Sequence, residues 1–183
     1  MLAPDLELLL ARCLHREPGA QRALYARYAP AMLGVARRYA ASLEEAEDIL
    51  QDAFVKIFTR LDSFRAEGSL EGWIRRVVVT TALSAYERDK NLRRHQPIET
   101  AYHLSTPDGD ALDRLSVEEV FRLIDQLPDG CRVVLLLYTV DGYTHAEIGE
   151  LLGITESTSK AQLSKGRSRL VHLLHAEQNH MPR

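Results

Sequence analysis

Apolar residues recur with the 3.6-residue period of α-helices along most of the chain, and no segment sustains the alternation of a β-strand. The longest apolar stripe spans residues 46–61. It follows Ser42 and Glu45, whose spacing is typical of a capping box, so a helix is predicted from residue 43 to about residue 60. The pattern as a whole predicts an all-α fold.

Prolines and glycines divide the rest of the chain into shorter helices. Pro30 is predicted to separate two of them, because its missing N–H suits the first turn of a helix. Ser69 is predicted to cap another helix, and Pro128 to end a further one. These additional helices are predicted at residues 6–14, 21–28, 31–41, 70–90, 116–127 and 131–140.

The segment at residues 91–115 differs from the rest of the chain. Proline, glycine and aspartate interrupt its periodicity, which is typical of a connecting segment. The sequence therefore predicts two small helical domains, residues 1–92 and 116–178, joined by a flexible linker at residues 93–115. At 183 residues the chain is long enough to give each domain a core.

Residues 143–163 form two short amphipathic segments joined by a glycine turn, which is the layout of a helix-turn-helix. Ala146 is small enough for the second helix to cross closely over the first. Gly153 suits the left-handed residue that ends a helix, and Thr155 is predicted to cap the second helix, from residue 156 to about 165. Because the second helix of this motif enters the major groove and cations follow here, the segment predicts DNA binding.

Charge is segregated along the chain, although the net charge is only −3. Residues 43–54 contain five carboxylates and no Lys or Arg. Residues 75–94 contain six Lys or Arg and two carboxylates. Segments of opposite sign within one chain predict two kinds of partner, one cationic and one anionic.

The motifs argue against an enzyme and against export. No phosphate-binding loop, dinucleotide fingerprint or nucleophile elbow is present, and no cofactor is predicted. Two pairs, Cys13–His15 and His172–His175, are too loose and too small to predict a metal site. Cys131 is predicted to be a small buried apolar residue rather than a thiolate stabilised at a helix start. Without a disulfide framework, signal peptide or membrane-length apolar run, the predicted compartment is the cytoplasm.

Three segments together resemble a known family. The first two are EEAEDILQDAFVKIFTRLDSF at residues 44–64 and GWIRRVVVTTALSAYERDK at residues 72–90. The third is LPDGCRVVLLLYTVDGYTHAEIGELLGITESTSKAQLSKGRSRL at residues 127–170. In this order and spacing they resemble a sigma-70 family RNA polymerase sigma factor of the extracytoplasmic-function (ECF) type. The resemblance implies a non-enzymatic initiation factor, with a region 2-like domain before the linker and a region 4-like domain after it.

The resemblance also implies roles for residues of the first domain. The acidic helix would dock on the largest subunit of core RNA polymerase, and the following loop and helix would recognise and melt the −10 element. The implied core-binding residues are Glu45, Asp48, Gln51, Asp52, Phe54 and Val55. The implied −10 residues are Phe64, Arg65, Ser69, Trp73, Arg75, Arg76, Thr80, Arg88 and Lys90.

In the second domain, the second helix of the helix-turn-helix would read the −35 element. Two positions depart from the usual family pattern: Ser159 replaces a valine, and Ala161-Gln162 replaces Ser-Arg, so no base preference carries over. Gln162 has the groups for a bidentate pair with adenine. The implied −35 residues are Ser157, Thr158, Lys160, Ala161, Ser164, Lys165, Arg167 and Arg169.

The resemblance further implies core polymerase, through its largest and second-largest subunits, promoter DNA and an anti-sigma factor as partners. Two other functions remain open on the residues alone. A dimeric helix-turn-helix regulator would bind a palindromic operator without polymerase. A helical adaptor would keep its activity after loss of Lys160 and Lys165. The acidic helix followed by Trp73 favours the sigma factor.

Overall fold

The computed structural model describes residues 3–93 and 117–178, and within them the side chains of residues 3–88 and 119–175. All regular secondary structure in these ranges is helical, which confirms the all-α prediction. The chain divides into two compact units, residues 1–100 and 101–183. The first contains α1 (Pro4–Leu14), α2 (Pro18–Arg37), α3 (Leu43–Thr59), a 3₁₀ turn (Leu61–Ser63) and α4 (Leu70–Arg93). The second contains α5 (Val117–Asp125), α6 (Asp129–Thr139), α7 (His145–Leu152) and α8 (Glu156–Gln178).

The predicted linker lies outside the described residues, apart from Arg93 at the end of α4. Ser116, the predicted cap of α5, lies outside them as well.

In the first unit, α2, α3 and α4 pack around one apolar core. On α3 the predicted apolar stripe is buried, except that Phe58 is half-buried. Ala46 and Ala53 are fully buried and small, which allows the neighbouring helices to approach α3 closely. The Nζ of Lys56 donates to the Oγ1 of Thr81 at 3.1 Å and so links α3 to α4. This packing fixes which face of α3 is left for solvent.

The predicted helix break at Pro30 is wrong, because α2 runs from Pro18 through Pro30 to Arg37. Pro30 removes one backbone hydrogen bond, and the carbonyl that loses its donor belongs to Ala26. Both residues lie on the exposed side of α2, where that carbonyl can be solvated. Ala29 and Met32 on the other side are buried, so core packing offsets the local cost of the proline.

In the second unit, α6 packs against α7 and α8. Its residues from Val133 to Leu137 are all buried. Cys131 is also buried, as the sequence predicts. Arg132 at the start of α6 pairs with Asp125 at the end of α5, with 3.3 Å between Nη1 and Oδ1. The helix-turn-helix is therefore built on a rigid apolar support.

The turn between α7 and α8 has the predicted glycine and helix cap, but the two helices do not approach each other closely at the predicted residue. Gly153 has a φ of 63°, and the Oγ1 of Thr155 accepts from the N–H of Thr158, as predicted. Ala146, the predicted crossing point, is exposed. The close approach occurs at Gly149 instead, where an added Cβ would lie 2.8 Å from the carbonyl oxygen of Ile154. The turn folds back over this glycine because its missing side chain leaves room.

The recognition helix is longer than predicted, since α8 continues past residue 165 to Gln178. Leu163 and Gly166 are buried, and Leu170 and Leu173 are half-buried at the same helical spacing. This stripe packs α8 along α6 and α5. The apolar residues continue at helical spacing in the sequence, and this pattern indicates the longer helix.

Gly149→Ala is expected to lower the free energy of unfolding by about 1–3 kcal/mol, because the added methyl meets backbone atoms that cannot rotate away. Gly34→Ala is the matched control. It lies in α2 with no atom within 4 Å of an added Cβ. The alanine there is expected to raise the free energy of unfolding by at most about 1 kcal/mol. Urea denaturation of the two variants measures both effects. Equal losses at the two positions would contradict the tight turn at Gly149.

Candidate nucleic-acid interface and acidic face

The acidic face of α3 lies on the side opposite the buried stripe. Of the residues predicted to bind core polymerase, Asp48, Gln51, Asp52 and Val55 are exposed. Val55 is 62% exposed and places an apolar side chain beside the carboxylates. Asp48 and Asp52 are four residues apart on one helix face, an arrangement that destabilises an isolated helix. Charges that cost stability in the free chain favour a role in binding.

Two predicted members of this face are placed differently. Phe54 is 3% exposed, and its ring packs 4.6 Å from that of Tyr25, so it supports the face from inside the core and does not lie on it. Glu45 is half-buried, and its carboxylate accepts from the N–H of Ala41. The Oγ of Ser42 accepts from the N–H of Glu45, so both side chains complete the cap of α3. Of the carboxylates predicted to bind core polymerase, exposed Asp48 and Asp52 are left for a partner.

The loop before α4 is held by a pair of aromatic rings. Phe64 and Trp73 lie with their centroids 5.7 Å apart and are both half-buried. Ala66 between them has a φ of 56°, an uncommon left-handed conformation for a residue other than glycine. The Oγ of Ser69 accepts from the N–H of Gly72 and caps α4 as predicted. Of the predicted −10 residues in this loop, Arg65 and Ser69 are exposed.

A cleft of about 430 Å³ opens between this loop, α1 and α2. Ser69 of the loop and Glu71 of α4 line it on one side, and Tyr28 lines it from α2. The cleft is widely open to solvent and is lined by both polar and apolar residues. The cleft offers a ring, a hydroxyl and a carboxylate. Tyr28 and Glu71 were not predicted as site residues, because they become neighbours only when α2 packs beside the loop.

The remaining predicted −10 residues lie on α4, and three of them share one face. Trp73, Arg76 and Thr80 follow a spacing of three and four residues, so they share a face. Arg76 is exposed, whereas Thr80 is half-buried and donates its hydroxyl to the carbonyl of Arg76. Arg75 is half-buried and pairs with Glu71 at 3.6 Å. Arg88 is exposed, and the side chain of Lys90 lies outside those described.

All the predicted −35 residues on α8 are exposed: Ser157, Thr158, Lys160, Ala161, Ser164, Lys165, Arg167 and Arg169. The hydroxyls of Ser157 and Thr158 lie 2.9 and 2.8 Å from the Oγ1 of Thr155, so they share the cap of the helix. Lys160 pairs with Glu156 at 2.6 Å. The hydrogen bond and the charge of Lys160 lower the pKa of the Glu156 carboxyl. The exposed face therefore offers cations and hydroxyls together.

Gln162 is not part of this exposed face. It is half-buried, and its side-chain amide lies against Gly130 of α6, where an added Cβ would be 2.9 Å from its Oε1. Its suggested pairing with adenine does not fit this placement.

A polar contact behind α8 was missed from the sequence. Ser159 is fully buried, and its Oγ lies 2.9 Å from the Nδ1 of His145 on α7. The imidazole stacks on Tyr138 of α6, with centroids 4.5 Å apart and an angle of 19° between the planes. The guanidinium of Arg167 lies 5.7 Å from the centroid of the same Tyr138 ring. These residues come from three different helices and meet only when the helices pack. No local sequence pattern therefore predicts the contact.

No group of three or more His, Cys, Asp or Glu residues with a geometry suited to a metal occurs among the described residues. Burial raises the pKa of the Cys13 thiol, which disfavours the reactive thiolate. Of the helices described, none is both long and apolar enough to cross a membrane.

Two sequence models of one family match the chain in the order of these surfaces. The model described as Sigma-70 region 2 matches residues 24–92, which include the acidic face and the −10 candidates up to Lys90. The model described as Sigma-70, region 4 matches residues 117–170, which include the helix-turn-helix. The chain belongs to the sigma-70 family of RNA polymerase sigma factors.

Curated relatives place the chain in the ECF group. It is 28% identical over 151 residues to the ECF RNA polymerase sigma factor SigM of Mycobacterium tuberculosis, covering 82% of this chain and 75% of the relative. It is 25% identical over 172 residues to the ECF RNA polymerase sigma-E factor of Escherichia coli K12, covering 88% and 90%. As an ECF sigma factor, the chain binds RNA polymerase, directs its recognition of promoters and performs no catalysis itself. A dimeric regulator acting without polymerase would not account for the region 2 match.

Solved structures share the fold of this sigma factor. The sigma factor RpoE, in a complex with the anti-sigma factor NepR from Bartonella quintana, superposes with a TM-score of 0.60 at 21% identity, covering 84% of this chain and 96% of that one. CnrH, in a complex with the cytosolic domain of CnrY, superposes with a TM-score of 0.53 at 22% identity, covering 92% and 96%.

Proposed function

We propose a division of work between the two units of this sigma factor. The region 2-like domain, residues 1–92, docks on the largest polymerase subunit through α3 and opens the −10 element with the loop and α4. The region 4-like domain, residues 116–178, reads the −35 element with α8, and residues 93–115 connect the two. The observation that carries this proposal is that one unit has an exposed carboxylate face on α3 and, on α4, a face with exposed Arg76 between half-buried Trp73 and Thr80. The first suits a cationic protein surface and the second suits DNA.

For core binding, Asp48 and Asp52 supply the charge and Gln51 and Val55 supply neighbouring polar and apolar contacts. Their exposure on one helix suits docking against a single rigid partner surface. Glu45 and Phe54 act indirectly, one through the cap of α3 and the other through its packing. Charge complementarity of this kind increases the association rate and excludes wrong partners.

For the −10 element, the cleft and the face of α4 act on the same strand. Bases that leave a duplex are captured by aromatic stacking and by hydrogen bonds to their edges. Tyr28, Ser69 and Glu71 give the cleft both kinds of contact. Trp73 lies at the start of α4 with part of its ring exposed, next to Phe64, where it can replace a stacking partner. Arg65, Arg75, Arg76 and Arg88 hold the phosphates, together with Lys90.

Trp73→Ala is expected to slow promoter opening about tenfold, since stacking on an aromatic side chain contributes about 1–3 kcal/mol per base. Permanganate reactivity of unpaired thymines in the holoenzyme–promoter complex measures the opening. The same holoenzyme is then tested on a template whose −10 region is mismatched and already open. The defect should shrink there if Trp73 assists melting. An equal defect on both templates would instead indicate a loss of folding or docking.

For the −35 element, α8 presents Lys160 and Lys165 with Ser157, Thr158, Ala161 and Ser164 to the major groove. Lysine can bind guanine acceptors, and Ser or Thr can serve either base type. In the free chain the Lys160 ammonium is held by Glu156. On DNA this ammonium exchanges the carboxylate for base acceptors, and Arg167 and Arg169 contact the phosphates.

The partners and compartment follow from this division of work. The sigma factor acts in the cytoplasm, where core polymerase and the chromosome are. We include an anti-sigma factor among its partners. The structures named above support this, since each similar chain there is bound to another protein, and in one case a sigma factor is bound to a named anti-sigma factor.

A further inference from the structure

The side chain of His145, on α7, contacts both α6 and α8. His145 is the first residue of α7, its ring stacks on Tyr138 of α6, and its Nδ1 lies 2.9 Å from the Oγ of Ser159 on α8. Ser159 is fully buried, so its hydroxyl has no access to solvent. A buried hydroxyl without a partner is costly. The contact with His145 therefore constrains α8 as well as satisfying the serine.

The position of Ser159 on α8 gives this contact a directional effect. Successive residues of an α-helix are about 100° apart, so Ser157 and Ala161 point about 160° away from Ser159. A hydrogen bond on the back of the helix thus fixes the rotation of the face that meets DNA. With side chains about 5–6 Å from the axis, a 20° rotation moves their ends by about 2 Å. That displacement is enough to break hydrogen bonds to base edges.

We propose that His145 is a positioning residue for −35 recognition, acting through its hydrogen bond to Ser159 to set the rotation of α8. Tyr138 orients the imidazole by stacking, and the same ring lies beside Arg167. This inference rests on the proposed role of α8 at the −35 element. Its effect is on base preference, because His145 changes which atoms of α8 face the bases.

The test compares two substitutions at one position. His145→Asn keeps a polar atom near the place of Nδ1 but loses the ring, whereas His145→Phe keeps a ring for Tyr138 but loses the hydrogen bond. Ser159→Ala removes the partner hydroxyl with a minimal change of volume. Each full-length variant is combined with core polymerase and given a promoter library randomised over the −35 element. Sequencing of the transcribed templates gives the base preference, independently of the total yield.

We expect His145→Asn to keep the wild-type base preference within about twofold. We expect His145→Phe and Ser159→Ala each to reduce it about fivefold, the size of one lost hydrogen bond. The double variant His145→Phe with Ser159→Ala should lose no more base preference than the more impaired of these two single variants. Both changes remove the same contact, so their effects should not add. Thermal unfolding by circular dichroism verifies that each variant is folded under the assay conditions.

Unchanged base preference in His145→Phe or in Ser159→Ala would overturn the inference, and so would equal losses in His145→Asn and His145→Phe. Additive losses in the double variant would overturn it too. A wild-type holoenzyme without any preference across the −35 library would instead refute the proposed role of α8. The two failures are therefore distinguishable.

Discussion

Asp48→Arg combined with Asp52→Arg is expected to abolish the association of this sigma factor with core RNA polymerase. Both side chains are exposed, one turn apart on α3, with no Lys or Arg between residues 43 and 54 to compensate them. Losing one partner of a close interfacial charge pair costs about 2–5 kcal/mol, and reversal adds repulsion. The affinity should therefore fall by about 100-fold or more. Size-exclusion chromatography of sigma factor mixed with core polymerase measures co-elution, and a titration gives the affinity.

The matched control is Glu7→Arg combined with Glu67→Arg. These carboxylates are also exposed and lie in the same unit, and the substitutions change the net charge by the same amount. Co-elution should persist in the control if α3 carries the contact. Loss in both double variants would show that overall charge matters rather than this face. Retained co-elution of the α3 variant would refute the proposed docking surface.

Lys160→Ala combined with Lys165→Ala is expected to reduce −35-dependent initiation about 30-fold while leaving core binding intact. Both ammonium groups lie on the exposed face of α8, and a good base contact contributes about 1–3 kcal/mol of discrimination. Removing Lys160 also leaves the Glu156 carboxylate without its 2.6 Å partner, near the phosphates. In vitro transcription with a promoter that has a −35 element and one that lacks it measures the effect.

The control for this pair is Arg22→Ala combined with Arg122→Ala, which removes two exposed cations elsewhere. The salt dependence of promoter binding separates two ways in which the lysines could act. Loss of phosphate contacts lowers the slope of log affinity against log salt by about 0.9 for each contact. Loss of base contacts weakens recognition with less change of slope. Equal activity of the lysine variant on both promoters, relative to wild type, would contradict a role at −35.

Much of the fold was predictable because its signals are local. Ser42, Ser69 and Thr155 each cap the helix that the sequence assigns to them. The capping box of α7, in which Thr144 and Glu147 satisfy each other's backbone, was readable in the same way but was overlooked. The predicted helix break at Pro30 is wrong, because a rule for single residues ignores the packing that keeps α2 continuous.

The candidate sites were predictable only in part. The segregation of charge along the chain located the acidic face, and the two amphipathic segments joined by a glycine turn located the recognition helix, whose predicted −35 residues are exposed. Periodicity also placed Phe54 in the apolar stripe, yet the family resemblance assigned it to the docking surface, where the structure does not place it. Tyr28 and Glu71 were absent from the prediction, because a cleft between helices has no sequence pattern.

The sequence by itself determined the helical period, the caps, the opposite charges and the order of the two halves. These properties depend on residues within a few positions of each other, and they are therefore legible along the chain. Only the tertiary structure decided that Gly149 makes the close turn and that His145 joins Tyr138 to Ser159. Such contacts bring together residues from different helices, and the packing angle of those helices is set by the whole core.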